Sequence, residues 1–262
     1  MTPVRETWVI ASNVVRQLMR NRILVVLSLF AVALVGVVAF LGDLGQEAET
    51  RLGQDFGLLA IEAVGFFTVL LCHVVLLFEE SELKTYSILL VKPVERWHVL
   101  MGRVLGAWLL LLMNVASMTL LLQLLSWWRG LALVNGDTLA ATAYLALGGA
   151  LFSAVAGFFS VMASSVPAAA MFATFAFALG HFTTNLLEWV QRLDQPALRW
   201  AVQLLFWVTP NFSLFNLPEH LAAAGGDGSG GAQVYLWPVA YAACYGSAVL
   251  GLALWRYEHK DF

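Results

Sequence analysis

The stretch Glu79-Glu80-Ser81-Glu82-Leu83-Lys84-Thr85-Tyr86-Ser87-Ile88-Leu89-Leu90-Val91-Lys92-Pro93-Val94-Glu95-Arg96 is a charged island between two long apolar runs, and its setting decides the fold. Of the 262 residues, 60% are hydrophobic and 12% charged, with a mean hydropathy of +0.79. Soluble domains carry about a quarter charged residues. The flanking runs, residues 56–78 and 104–128, are each as long as a bilayer core is thick, longer than a core strand or short core helix. The first holds Glu62 near its start and the second holds no charge. Composition and run length together predict one all-α integral membrane domain.

Working outward, residues 23–41 form an uncharged run longer than a signal-peptide core, with no small-residue cleavage pattern after it, so a retained helix is expected. Between Asp137 and Glu188 no Asp, Glu, Lys or Arg occurs. That block is too long for one crossing, and Ser164-Ser165-Val166-Pro167 divides it into residues 138–163 and 167–190, because proline disfavours helix before it. A last run, 233–255, follows the flexible Gly225-Gly226-Asp227-Gly228-Ser229-Gly230-Gly231 linker and ends at Arg256. The expectation is six transmembrane helices.

Residues 196–208 are apolar but only about half a bilayer long as a helix, and are expected to be re-entrant or interfacial within an extracytoplasmic loop, 192–232. Arg5, Arg16, Arg20, Arg22, Lys84, Lys92, Arg96, Arg103, Arg256 and Lys260 then fall on one side, against Arg51, Arg129, Arg192 and Arg199 on the other. The positive-inside rule places both termini in the cytoplasm. Residues 4–20 carry Val4, Trp8, Ala11, Val15 and Leu18 at helical spacing, with Arg5, Arg16 and Arg20 elsewhere on the wheel. That pattern predicts an interfacial amphipathic helix, which serves as a plain membrane anchor or helps dock a cytoplasmic partner.

The island is thereby cytoplasmic, between spans 2 and 3, as the segment 79–101. Residues 82–91 can form a short helix with Leu83, Tyr86, Ser87 and Leu90 on one face, stopped by Pro93. Lys84-Thr85, Leu89-Leu90, Pro93-Val94, Arg96 and Gly102-Arg103 follow in the order and register of a known pattern. The chain resembles ABC-2-type transporter permeases, and among them the single-domain branch described as involved in multicopper-enzyme maturation. Weaker likeness extends to Arg20-Asn21-Arg22-Ile23-Leu24, to Pro210-Asn211-Phe212-Ser213-Leu214-Phe215-Asn216 and to Lys260-Asp261-Phe262. Glu95 stands where serine is usual and Arg103 where lysine is commoner. The resemblance implies that the island is the coupling helix seated in a groove of an ATPase subunit, through Glu82, Leu83, Lys84, Thr85, Tyr86, Leu89, Leu90, Pro93, Arg96, Gly102 and Arg103. It also implies two permeases and two ATP-binding subunits per complex, export as the usual direction, and residence in the bacterial inner membrane.

The only lysines are Lys84, Lys92 and Lys260, and none lies in a phosphate-binding Gly-x-x-x-x-Gly-Lys loop. ATP and Mg are therefore expected on a separate chain, with no cofactor, catalytic group, metal site or nucleic-acid contact on this one. Cys72 and Cys244 lie inside apolar runs and indicate neither a disulfide framework nor a thiolate site.

Polar residues within the membrane are the candidates for a pathway. His181, Asn185 and Glu188, with Arg192, lie at i, i+4, i+7 and i+11, one stripe rising toward the outer face. It reads either as a substrate path or outer gate, or as interhelical hydrogen bonds and a helix end. His73 and Asn114 read as packing residues, and residues 148–157 as a close-packed small-residue face. Two rival functions stand beside transport. One is a membrane scaffold recruiting partners through the island. The other is a haem-bearing electron-transfer subunit, disfavoured because His73 and His181 differ in depth by about 12 Å.

Overall fold

A computed structural model of the protein describes residues 3–20, 32–33, 36–37, 49–83, 96–129, 136–191, 196–217 and 231–259. Among these residues the regular structure is helical: α1 (Pro3–Met19), α2 (Glu49–Leu83), α3 (Arg96–Arg129), α4 (Gly136–Met162), α5 (Val166–Gln191), α6 (Pro196–Val208), a 3-10 turn (Ser213–Phe215) and α7 (Gly231–Glu258). Among the described residues, four helices contain stretches long and apolar enough to cross a membrane: Gly53–Leu77, Trp97–Leu125, Gly136–Met162 and Tyr235–Glu258. They correspond to the second, third, fourth and sixth expected spans. α5, expected as the fifth, is a helix of 26 residues, about 39 Å long, of which Val166–Phe182 is the described apolar part. The expected first span, 23–41, lies outside the described residues apart from the helical pairs 32–33 and 36–37.

α4 is the central helix, touching α2, α3, α5, α7 and the 3-10 turn. Its inward face is built from small residues, so neighbouring backbones come close. A Cβ at Gly157 would lie 2.9 Å from Val104 Cγ2 of α3, and one at Gly148 would lie 3.0 Å from the Phe215 side chain. Phe152 on α4 and Ile61, Val64 and Val69 on α2 join Leu111 and Met118 on α3 in the main core. The α4–α5 turn falls at Ser164-Ser165 with Pro167 in the first turn of α5, where its missing N–H is unneeded. In α7 the buried Pro238 interrupts the backbone ladder. Beside it the Tyr235 carbonyl accepts a 2.7 Å hydrogen bond from the Tyr144 hydroxyl of α4.

α1 lies against the island end of the α2–α3 pair, with Val14 and Leu18 clustered on Cys72, Val75, Leu76, Ala107 and Leu110. Its buried stripe is Thr7, Ala11, Val14 and Leu18, while Trp8 is 60% exposed. Of the expected stripe Val4, Trp8, Ala11, Val15 and Leu18, Ala11 and Leu18 are buried and Val15 packs against the same cluster, whereas Trp8 faces outward and the side chain of Val4 lies outside the described residues. α1 turns one face to protein, a second apolar shoulder outward, and its arginines away from both.

Only 84–95 separate α2 from α3 and lie outside the described residues. The segment expected as 79–101 is thus helical at both ends, because α2 runs to Leu83 and α3 starts at Arg96. The 13-residue α6 is about 20 Å long, with Trp200, Leu204 and Trp207 exposed, and it packs on α5. After it the chain turns inward: Phe212 N–H donates to the Gly180 carbonyl at 3.1 Å, and Phe212, Phe215 and Leu217 are buried.

Candidate functional site

Glu62 on α2 and His181 on α5 meet with Nε2 and Oε1 2.5 Å apart, each side chain 28% exposed. His181 Nδ1 lies 3.1 Å from the Phe177 carbonyl. A carbonyl can only accept, so Nδ1 carries hydrogen and a single proton lies between Nε2 and the Glu62 carboxylate. Rings hold the imidazole in place, with the Phe177 centroid 4.4 Å and that of Phe212 5.7 Å from it. Phe66 and Phe152 pack on Phe177 as tilted rings, with centroids 4.3 and 5.0 Å away. Gly180 makes this possible, since a Cβ there would collide with the Pro210 carbonyl and the Phe212 ring.

Glu62 separates two spaces. Behind it a narrow cleft of about 30 Å³ runs between Gly65, Gly149, Leu111 and Phe152. In front, a recess of about 420 Å³ is lined by Asp55, Leu58, Glu62, Ala141, Leu145 and Asn216 among others. Because α2 starts at this end and reaches the island at its other, the recess opens away from the island.

Of the stripe read from sequence, His181 is at this junction. Asn185 and Glu188 follow one and two turns on along α5, with side chains outside the described residues. Glu62 is the candidate that sequence reading did not single out. Its signal was present: a carboxylate inside an apolar run is a site by default, with a partner to be found.

Among the residues expected to couple to an ATPase, Glu82 and Leu83 end α2 and Arg96 begins α3, their side chains outside the described residues. Lys84, Thr85, Tyr86, Leu89, Leu90 and Pro93 lie wholly outside them. Gly102 and Arg103 face inward. A Cβ on Gly102 would lie 2.6 Å from Ile10 Cγ2, and Arg103 is 6% exposed, hydrogen-bonded to the Tyr257 side chain. Nearby, Glu6 of α1 approaches the buried His98 of α3 at 3.6 Å.

His73 and Asn114 join helices. Ser153 Oγ donates to the Val104 carbonyl at 3.1 Å and accepts from His73 Nε2 at 3.2 Å. Asn114 Nδ2 donates to Thr68 Oγ1 at 2.7 Å, and Thr68 Oγ1 donates to the Val64 carbonyl. His73 and His181 thus point to different partners, not to one another.

Long apolar helices around a small-residue centre, with an ionisable pair at membrane depth, define a multi-span helical membrane protein. The chain belongs to the ABC-2 family transporter proteins, whose family model matches residues 8–262. It is an ABC-2-type permease, a membrane transport protein. No curated protein matches it significantly.

Proposed function

We propose that this chain is the permease subunit of an ABC exporter in the bacterial inner membrane. It spans the membrane six times with both termini cytoplasmic, and it is driven by ATP and Mg held on separate ATPase subunits. Two permeases, this chain twice or with a homologue, work with two ATP-binding subunits. ATP closure of the ATPase pair moves the island, and the permease pair shifts between inward-open and outward-open states by differential binding.

The observation that carries this reading is the family match over residues 8–262, a range that includes the island, whose residues 84–95 connect the ends of two membrane-length helices. α2, with 35 residues, is about 52 Å long against a core of about 30 Å, so movement at the island is delivered along a rigid rod to Glu62. α6, with its exposed tryptophans, suits an interfacial position. Leu90→Asp places a charge where an apolar face is expected to dock, and a buried unpaired charge costs several kcal/mol, on the order of complete dissociation. Purification of tagged chain from its native membranes should recover an ABC ATP-binding subunit with the wild type and lose it with Leu90→Asp, while membrane insertion is unchanged. Equal recovery in both would overturn the docking surface.

A further inference from the structure

The geometry points to the recess in front of Glu62 as a binding site for an amphipathic monovalent cation, a positive centre on an apolar body, seated by displacing His181 from the Glu62 carboxylate. The inference deepens the transport reading, since it names the ligand class of that pathway.

The recess has the size of a ligand site, about 420 Å³, within the range of about 300–1,000 Å³ for sites that enclose drug-sized molecules. Leu58, Leu59, Leu145 and Leu217 supply its apolar walls. Among its described lining residues the charged groups are Asp55 and Glu62, and Asn216 adds a neutral polar one. The two carboxylates stand seven residues apart on α2, about 10 Å along the helix, so one lies deep and one near the mouth. Asp137, exposed at the start of α4, is one turn outward from the lining residue Ala141. A carboxylate at membrane depth costs energy unless paired, and for Glu62 the pairing group is His181.

His181 reaches Glu62 from the narrow aromatic cleft behind it and does not line the recess, so it holds the deep carboxylate from behind while Glu62 also faces the recess in front. A cation arriving from the recess competes with the imidazole for the same charge. It can do so when the one shared proton leaves the carboxyl, either on His181 as imidazolium or to water, which leaves Glu62 anionic for the cation. Phe177 and Phe212 pack against His181, so displacement would also disturb the Phe212 turn and its hydrogen bond to Gly180. Ligand occupancy and the outer end of α5 are thereby tied together.

The test uses the full-length chain in phosphatidylcholine nanodiscs, with tetraphenylphosphonium as probe and tetraphenylborate as an anion of nearly the same shape. Equilibrium dialysis against empty nanodiscs should show saturable binding of the phosphonium and only lipid partitioning of the borate. Asp55→Asn, at an exposed position, and Glu62→Gln should each weaken phosphonium binding about tenfold, and His181→Gln should tighten it severalfold. The opposite sign of the last variant is what a purely structural pair would not produce. Saturable binding of both ions alike, or phosphonium binding unmoved by Asp55→Asn and His181→Gln in folded protein, would overturn the inference. Repeating the titration in phosphatidylethanolamine separates two sources of the ligand: competition identifies a lipid amine, and its lack a free cation. No ATPase is present in this measurement, so its failure leaves the coupling reading intact, and loss of the ATPase partner leaves this binding measurable.

Discussion

Replacing Gly102 and Gly106 together by alanine should lift α1 from α3. A Cβ at Gly106 would lie 2.6 Å from Val14 Cγ1 and 3.1 Å from the Ala11 carbonyl, and one at Gly102 would lie 2.6 Å from Ile10 Cγ2 and 3.3 Å from the Thr7 carbonyl. Carbon atoms prefer about 3.5–4.0 Å, so α1 must retreat by about 1 Å along two successive turns. Overpacking of this kind costs about 1–3 kcal/mol per site. Over the two sites that is about 4 kcal/mol against docking, or roughly a thousandfold in the docking equilibrium. Arg16 is exposed on α1, and a docked helix resists proteolysis until it opens locally. Tryptic cleavage after Arg16 in nanodiscs should therefore accelerate by about that factor. Gly251→Ala is the control, since a Cβ there meets nothing within 4 Å, and it should leave cleavage unchanged. Wild-type cleavage rates in an abundant Gly102→Ala/Gly106→Ala protein would refute the seat of α1. So would equal acceleration by Gly251→Ala.

Ser153→Ala should leave the buried His73 ring without its described hydrogen-bond partner at a cost of about 1–3 kcal/mol, read as a lower thermal midpoint in detergent; an unchanged midpoint would remove Ser153 from the helix junction. The six-span topology predicts that an impermeant thiol reagent labels Ser229→Cys in intact cells and misses Asp261→Cys, and labelling of both would end it. Glu188→Gln keeps shape and hydrogen bonding while removing charge. If the α5 stripe is part of the mechanism, nucleotide-driven transport falls at normal abundance and normal complex recovery, and unimpaired transport would confine the mechanism to the residues below it.

What could be read from the chain followed the range of each signal. Run length and the position of charge located α2, α3, α4 and α7, because a bilayer imposes its thickness on consecutive residues. The turn at Ser164-Ser165 was legible for the same local reason, through proline. The face of α1 was not: a helix wedged between protein and lipid has two apolar stripes, and hydrophobicity alone cannot tell which one meets protein. Ala11 and Leu18 belong to the buried stripe and Trp8 to the other. Nor could the inward turn of residues 210–217 be read, since Phe212 and Phe215 are buried by α4 and α5 only once those helices are assembled.

The Glu62–His181 junction shows the same limit most sharply. Its members are 119 residues apart, and either alone reads as an isolated polar residue in an apolar run. Membrane physics supplied half of the inference, that each needs a partner, and the topology supplied the other half. Antiparallel α4 and α5 return the chain to the end where α2 begins, which brings the late part of α5 beside the early part of α2. Gly180 then lets the Phe212 turn close over His181. A polar residue on α5 thus becomes a junction with α2, the helix that leads to the island. The contact therefore ties α5 to α2 near the end of the bundle away from the island.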